Sequence, residues 1–426
     1  MKKDAEQTRL KPSLSLFDAV AISVGAIVGA GIFVVTGIAA GHAGSALVVS
    51  MLIAAFIALF SALSIAELAA RFPEEGSVYE FGRALISPFA GFLSGWMWIL
   101  SNVFAGSAVS LGFAYYFTYL LPGIPPPWVA AVMCIGFSAL NYYGVRQSVF
   151  LNNLLVTAKL LILAFFCIFG ALYTKSSNLV PFSPFQPGML FGVFYIFFAY
   201  GGFARVAVVA EEVKDARRNV PRAVILSLVI STIFYIAVGT VALGLTGATN
   251  LSSSKSPLAD AMGKTGSPFA VQLISLGGLL ATASVLLTSI MGVSRMAYAM
   301  ARGNDLPLAL SKVHEKHNTP YYSVWFSGIM MALLVLFIDL SSVVAISTFA
   351  MLFYYASSNI SALRLKENDR KYPQVVPAVG AITCVALLIV ILFLSPQAWV
   401  VGLAGLIAGT VYYSAKRSLR KNQSLT

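Results

Sequence analysis

From its amino end the chain alternates long apolar runs with short polar or charged intervals. A helix rises 1.5 Å per residue, so about 20 apolar residues cross the hydrocarbon core of a bilayer. Windows of that length place spans near residues 16–39, 46–68, 89–121, 127–144, 149–173, 189–211, 223–245, 271–299, 322–338, 342–363, 375–394 and 397–414. The pattern predicts an all-α integral membrane protein of about twelve transmembrane helices. The uncharged stretch 84–145 divides at the proline-rich run 122–127, which cannot continue a helix. The polar start MKKDAEQTRLKPSLSL leads into an apolar run too long for a signal-peptide core, so that run reads as the first span.

Two spans carry interruptions. Span 1 reads GAIVGAGIF over residues 25–33, and span 6 contains Tyr200-Gly201-Gly202-Phe203. Each glycine inside a helix costs about 1 kcal/mol relative to alanine, so both places invite an unwound turn. Irregular backbone at membrane depth is tolerated only where protein or a water-filled cavity satisfies the freed groups. There, half-helix N-termini offer N–H donors and a positive dipole end to a carboxylate, while freed carbonyls accept from an amine. Such a site suits a zwitterion such as an amino acid. The competing reading is that these glycines only allow close helix packing. Breaks in the first and sixth spans occupy equivalent places in two five-helix halves, which points to an inverted-repeat transporter.

Composition narrows the class. The 426 residues are 58% hydrophobic and 10% charged, against roughly 25% charged in a soluble domain. The net charge of +12 is spread over short intervals rather than gathered in one patch, which argues against nucleic-acid binding. With the N-terminus inside, the external loops hold only Lys175, Lys255 and Lys264, and the basic runs within 214–222, 302–316, 364–371 and 416–421 fall on the cytoplasmic side. Both termini are therefore expected in the cytoplasm. Cys134, Cys167 and Cys384 sit in apolar runs without disulfide or zinc spacing. His314 and His317 in HEKH lack a third ligand, so no metal is expected. With no serine triad or P-loop, neither an enzyme nor an ATP-driven pump is indicated, and no organic cofactor is expected.

Two ionisable residues fall within spans. Lys159 lies near the middle of span 5. A desolvated lysine can cycle between charged and neutral forms, making it a candidate for proton coupling; the alternatives are a permanently charged tether and snorkelling to an interface. Arg205 follows the second break and cannot lose its proton, so it needs an acceptor. Asp18, Glu67 and Glu211 are candidate partners in a cytoplasmic gate; direct contact with an acidic substrate is the alternative. A fixed cation there disfavours cationic amino acids unless it is neutralised.

GAIVGAGIF, FFAYGGFARVAVVAEEVKDARRNVPRA (197–223), SRMAYAMARGNDLP (294–307) and SNISALRLK (358–366) resemble, in sequence and order, signature segments of the amino acid, polyamine and organocation transporter superfamily. The resemblance implies the LeuT-type fold: a cytoplasmic tail 1–15, a first inverted repeat 16–175, a second 186–366, two peripheral helices over 374–415 and a tail 416–426. It implies that Ile27, Gly29, Ala30, Gly31 and Ile32 bind substrate together with Tyr200, Gly201, Gly202 and Phe203, the last as an aromatic gate. Lys159 stands where sodium-independent members place an amine instead of a sodium ion, with Gly25 and Ser284 as its partners. Arg205, Asp18 and Glu67 are expected at the gate. The chain departs from many relatives at Ala204, where they are polar or acidic, and at Arg205, where they are small. The function implied is proton-coupled amino-acid symport by alternating access at the plasma membrane, with the proton as coupling ion. Exchange of amino acids or polyamines, and a non-transporting sensor on the same fold, are the alternatives. The expected partners are an amino acid or related amine and membrane lipid, without nucleic acid; no obligate protein partner is implied.

Overall fold

A computed structural model describes residues 12–73, 76–121, 123–180, 182–183 and 186–423. Most of the tail 1–15, the end of the tail 416–426 and Pro122 of the dividing proline run lie outside the described residues. Among the described residues the chain is helical, without strands, and each expected span coincides with helix. The first comprises α1 (Leu16–Ile27), a π-helical turn (Gly31–Val35) and α2 (Thr36–Ala43). There follow α3 (Leu47–Arg71), α4 (Val78–Leu85), α5 (Pro88–Leu120), α6 (Pro126–Tyr142) and α7 (Val145–Ala171). The sixth span is α8 (Gly188–Tyr200) with the short α9 (Arg205–Val208). Beyond it lie α10 (Ala216–Ser253), α11 (Pro257–Gly263), α12 (Pro268–Arg302), α13 (Tyr321–Leu334), α14 (Leu340–Leu363), α15 (Val375–Leu394) and α16 (Pro396–Gln423). Eight helical stretches are long and apolar enough to cross a membrane, one of them running from Leu16 to Arg71, and α8 and α13 are shorter apolar helices.

Three differences from expectation have physical causes. The short helices α4 and α11 lie in intervals whose polar residues hide them from a hydropathy window. Helix α10 starts well before residue 223, because Arg217, Arg218 and Arg222 extend it beyond the apolar run. At its other end the chain swings at Gly247, where φ is 76° and ψ 164°, a conformation open to glycine and costly for other residues.

Small residues bring the central helices together. Ser101 on α5 and Ser347 on α14 each donate to the other's carbonyl oxygen at 2.8 Å, as small polar residues do between membrane helices. The outer helices turn large apolar side chains outward, with Ile168 on α7 74% exposed and Phe393 on α15 75%, the surface that a bilayer would cover. On the charged side, Leu14 pairs in parallel with Val213, Leu14 N–H donating to Glu212 O at 2.9 Å and Lys214 N–H to Leu14 O at 2.9 Å. This ties the chain's start to the end of the broken sixth span.

A buried ion pair, unexpected from the sequence, fastens the same region. Arg295 on α12 donates from Nε to Glu212 Oε1 at 2.9 Å, and both side chains are buried. Beside it Arg302 grips both oxygens of Glu211, at 2.6 and 3.2 Å. Removing one partner of a buried pair leaves a lone charge and typically costs about 3–5 kcal/mol, whereas replacing both by apolar groups costs little. Arg295→Met should therefore lower the thermal stability of the detergent-solubilised protein by that order, and adding Glu212→Leu should restore much of it; a double variant no more stable than the single would rule the pair out as the cause.

Candidate functional site

The first break follows from the glycines. Helix α1 ends at Ile27, and Val28 takes an extended conformation with φ −80° and ψ 92°. Helical bonding resumes in the π turn, whose five residues begin at Gly31. In the sixth span α8 stops at Tyr200, and four residues separate it from α9, which starts at Arg205.

The two breaks meet backbone to backbone. A Cβ on Gly202 would sit 2.6 Å from the carbonyl oxygen of Ala26, and one on Gly31 would sit 2.7 Å from Ala199 Cα. Neither obstacle is a mobile side-chain end, so only glycine permits the approach. The carbonyls left without helical partners are met by side chains from elsewhere. The Tyr235 hydroxyl lies 2.7 Å from Ile27 O and 3.0 Å from Ala199 O, bridging the breaks. Tyr355 donates to Gly201 O at 2.7 Å, and Ser23 to Phe203 O at 3.2 Å.

Lys159 is fully buried. Its Nζ donates to Gly25 O and to Ser284 Oγ, each at 3.1 Å, and also to Val28 O. Three oxygens thus meet the three donors of an ammonium. Asn152, which sequence reasoning missed, completes the arrangement: its Oδ1 accepts from Ser284 Oγ at 2.9 Å while its Nδ2 donates to Ala21 O at 3.0 Å. It stands two turns before Lys159 on the same face of α7, a periodicity that could have flagged it.

Between the breaks is a cavity of about 30 Å³, room for a water or two rather than an amino acid, so this conformation is closed around its centre. Of the expected binding residues, Ile27, Ala30, Gly31, Gly201 and Gly202 line it, as does Arg205. Gly29, Ile32, Tyr200 and Phe203 do not. Gly29 faces Val285, Ile32 is buried in the core, and Tyr200 packs on Tyr235 with ring centroids 4.9 Å apart. Phe203, expected as a gate over the ligand, instead stacks on Tyr355 at 4.9 Å and 10°. Ser101 and Asn102 on α5 and Ser347 and Tyr354 on α14, none of them among the expected site residues, complete the lining as its polar part.

The gate partners are likewise corrected. Arg205 Nη2 donates to Asn102 Oδ1 at 2.5 Å, and the guanidinium lies 5.5 Å over the Trp98 ring. Asp18 instead forms a capping box with Ser15 and accepts from Asn153 Nδ2 at 2.6 Å. Glu67 accepts from the backbone N–H groups of Lys371 and Tyr372, and Glu211 is held by Arg302. Each carboxylate is committed to a nearer donor.

A membrane-embedded helical bundle whose two interrupted helices touch across a small polar-walled cavity is the architecture of a solute carrier. Residues 14–412 match the family model described as amino acid permease. The chain belongs to this family. It is 34% identical to a branched-chain amino acid permease of Bacillus subtilis, over 95% of this chain and 92% of that one. A methylthioribose transporter of the same species is 31% identical over 98% of this chain and 97% of its own. A mitochondrial cationic amino acid transporter of Arabidopsis thaliana is 31% identical over 83% of this chain and 62% of its own. These relatives are named as permeases and transporters, not as enzymes.

The contact between the breaks generates a graded expectation. A Cβ at Gly201 meets the sulfur of Met351, a side chain that can move, whereas at Gly202 it meets backbone. Gly202→Ala should thus cost more stability than Gly201→Ala, with overpacking of about 1–3 kcal/mol at the tighter site. Melting temperatures in detergent check this; equal losses would mean that the breaks do not abut as described.

Proposed function

We propose that the protein is a secondary active amino-acid transporter that works by alternating access and is coupled to protons through Lys159. Membership of the amino acid permease family supports the substrate class, as do the names of the branched-chain and cationic amino acid relatives. The observation that carries the coupling is the contact of the buried Lys159 ammonium with Gly25 O and Val28 O on one side and Ser284 on the other. These acceptors belong to the end of α1, its break and α12, so the charge on one amine bears on the geometry of the broken helix.

In this reading the substrate carboxylate lies on N–H groups near Ala30, Gly31 and Ile32, and its ammonium on carbonyls near Tyr200 and Gly201. Residues 16–175 and 186–366 act as inverted repeats, with 374–415 peripheral. When the amine is charged, its three acceptors hold α1 against α7 and α12; when it is neutral, fewer donors remain and the hold loosens. Alternation between those states links proton transfer to movement of the first and sixth spans. The expected setting is the plasma membrane, with both termini cytoplasmic.

Uptake of radiolabelled amino acids into proteoliposomes tests the proposal. An inward proton gradient should stimulate uptake, replacing sodium should leave it unchanged, and Lys159→Ala should lose the response to the gradient. A variant equally slow at every pH would make Lys159 a fixed tether. Uptake that requires amino acid inside the vesicle and ignores the proton gradient would make the protein an exchanger and overturn the coupling.

A further inference from the structure

The cavity contains a cation without an internal counter-ion. Arg205 is 4% exposed and lines the space between the breaks. Among the described residues it forms no ion pair: Nη2 bonds the neutral amide of Asn102 at 2.5 Å, and the buried Nη1 has no partner. The acidic residues once expected to balance it, Asp18, Glu67 and Glu211, are bonded elsewhere, and its neighbour Glu212 is held by Arg295. A guanidinium presents five N–H donors in a plane and does not give up its proton at physiological pH, so burial without an anion is costly and persists only where something repays it. The Trp98 face offers partial compensation. It leaves the fork of donors unfilled.

The surroundings indicate what fills it. Ala26, Ile27, Ala30 and Gly31 line it from the first break, and its polar lining is Ser101, Asn102, Ser347 and Tyr354 with Arg205, the hydroxyl protons of Ser101 and Ser347 being given to each other's carbonyls. Among the described residues no carboxylate lines it, so a lysine- or arginine-like side chain would meet an unbalanced positive charge, while a carboxylate would meet the unpartnered Nη1 of Arg205.

From this arrangement we propose that the transported class is amino acids with an acidic side chain, the side-chain carboxylate being read by Arg205. The inference rests on the function proposed above, in which the α-carboxylate and amine of the same ligand occupy the two breaks. It separates this chain from what the names of the branched-chain and cationic relatives would suggest.

The test uses the full-length protein in proteoliposomes, with L-aspartate, L-glutamate, L-leucine and L-lysine as competing substrates. Wild type should prefer aspartate or glutamate over leucine and lysine by at least tenfold in half-inhibitory concentration. Arg205→Gln should reduce the acidic-over-neutral preference at least tenfold, and Arg205→Lys, which keeps the charge but loses the fork, should fall between. Because the wild-type preference is itself decisive, a variant that fails to fold does not remove the test. Wild-type preference for leucine or lysine overturns the inference and leaves the amino-acid transporter standing. A loss of all substrates in equal proportion in folded Arg205→Gln, judged by a single size-exclusion peak, also overturns it, since the arginine would then hold the α-carboxylate. Uptake of none of these or any other amino acid overturns the proposed function and this inference together.

Discussion

A carbonyl that has lost its helical partner in hydrocarbon must find another donor, and this requirement organises the centre of the molecule. Interrupting two helices frees carbonyls at Gly25, Ile27 and Val28 on one side and at Ala199, Gly201 and Phe203 on the other. Lys159, Tyr235, Tyr355 and Ser23 reach them from four different helices. The breaks are therefore ordered structures with long-range partners. Since Tyr235 serves both, a shift of one broken helix cannot leave the bonding of the other unchanged.

Among the described residues three buried cations are held in three ways. Arg295 has a carboxylate, Lys159 has three neutral oxygens matched to its three donors, and Arg205 has one amide, an aromatic face and an unpartnered nitrogen. Only the first is neutralised internally. A point-like ammonium can be solvated by carbonyl and hydroxyl dipoles, as a small ion would be, whereas a five-donor plane cannot be filled by a single amide. The degree of compensation thus sorts the three into an ion-paired fastening, an ammonium matched by neutral oxygens and a guanidinium with an unpartnered nitrogen.

Much of this was legible in the sequence because the bilayer imposes a length on apolar runs and the breaks cost glycines. The spans and the interruption within residues 25–33 follow from those two rules, and the split of residues 84–145 from its prolines. Side-chain direction around a break does not, because helical periodicity ends where the backbone leaves the helix; hence Phe203 turns onto Tyr355. Arg295 was hidden at the end of an apolar run, where a cation reads as interfacial until Glu212 is seen against it. The role of Asp18 could have been found, since Ser15-x-x-Asp18 is the spacing of a capping box.

The Glu212–Arg295 pair also sets conditions on how the chain is made. The two residues are 83 positions apart, so during synthesis the carboxylate emerges well before its partner. Until α12 is threaded into the membrane, Glu212 has to face water or lean on something other than its final neighbour. A nascent chain stopped short of Arg295 would lack the partner that this carboxylate has in the folded structure. Closure of the pair then coincides with arrival of the helix that also supplies Ser284 to Lys159, so one insertion event completes both polar centres.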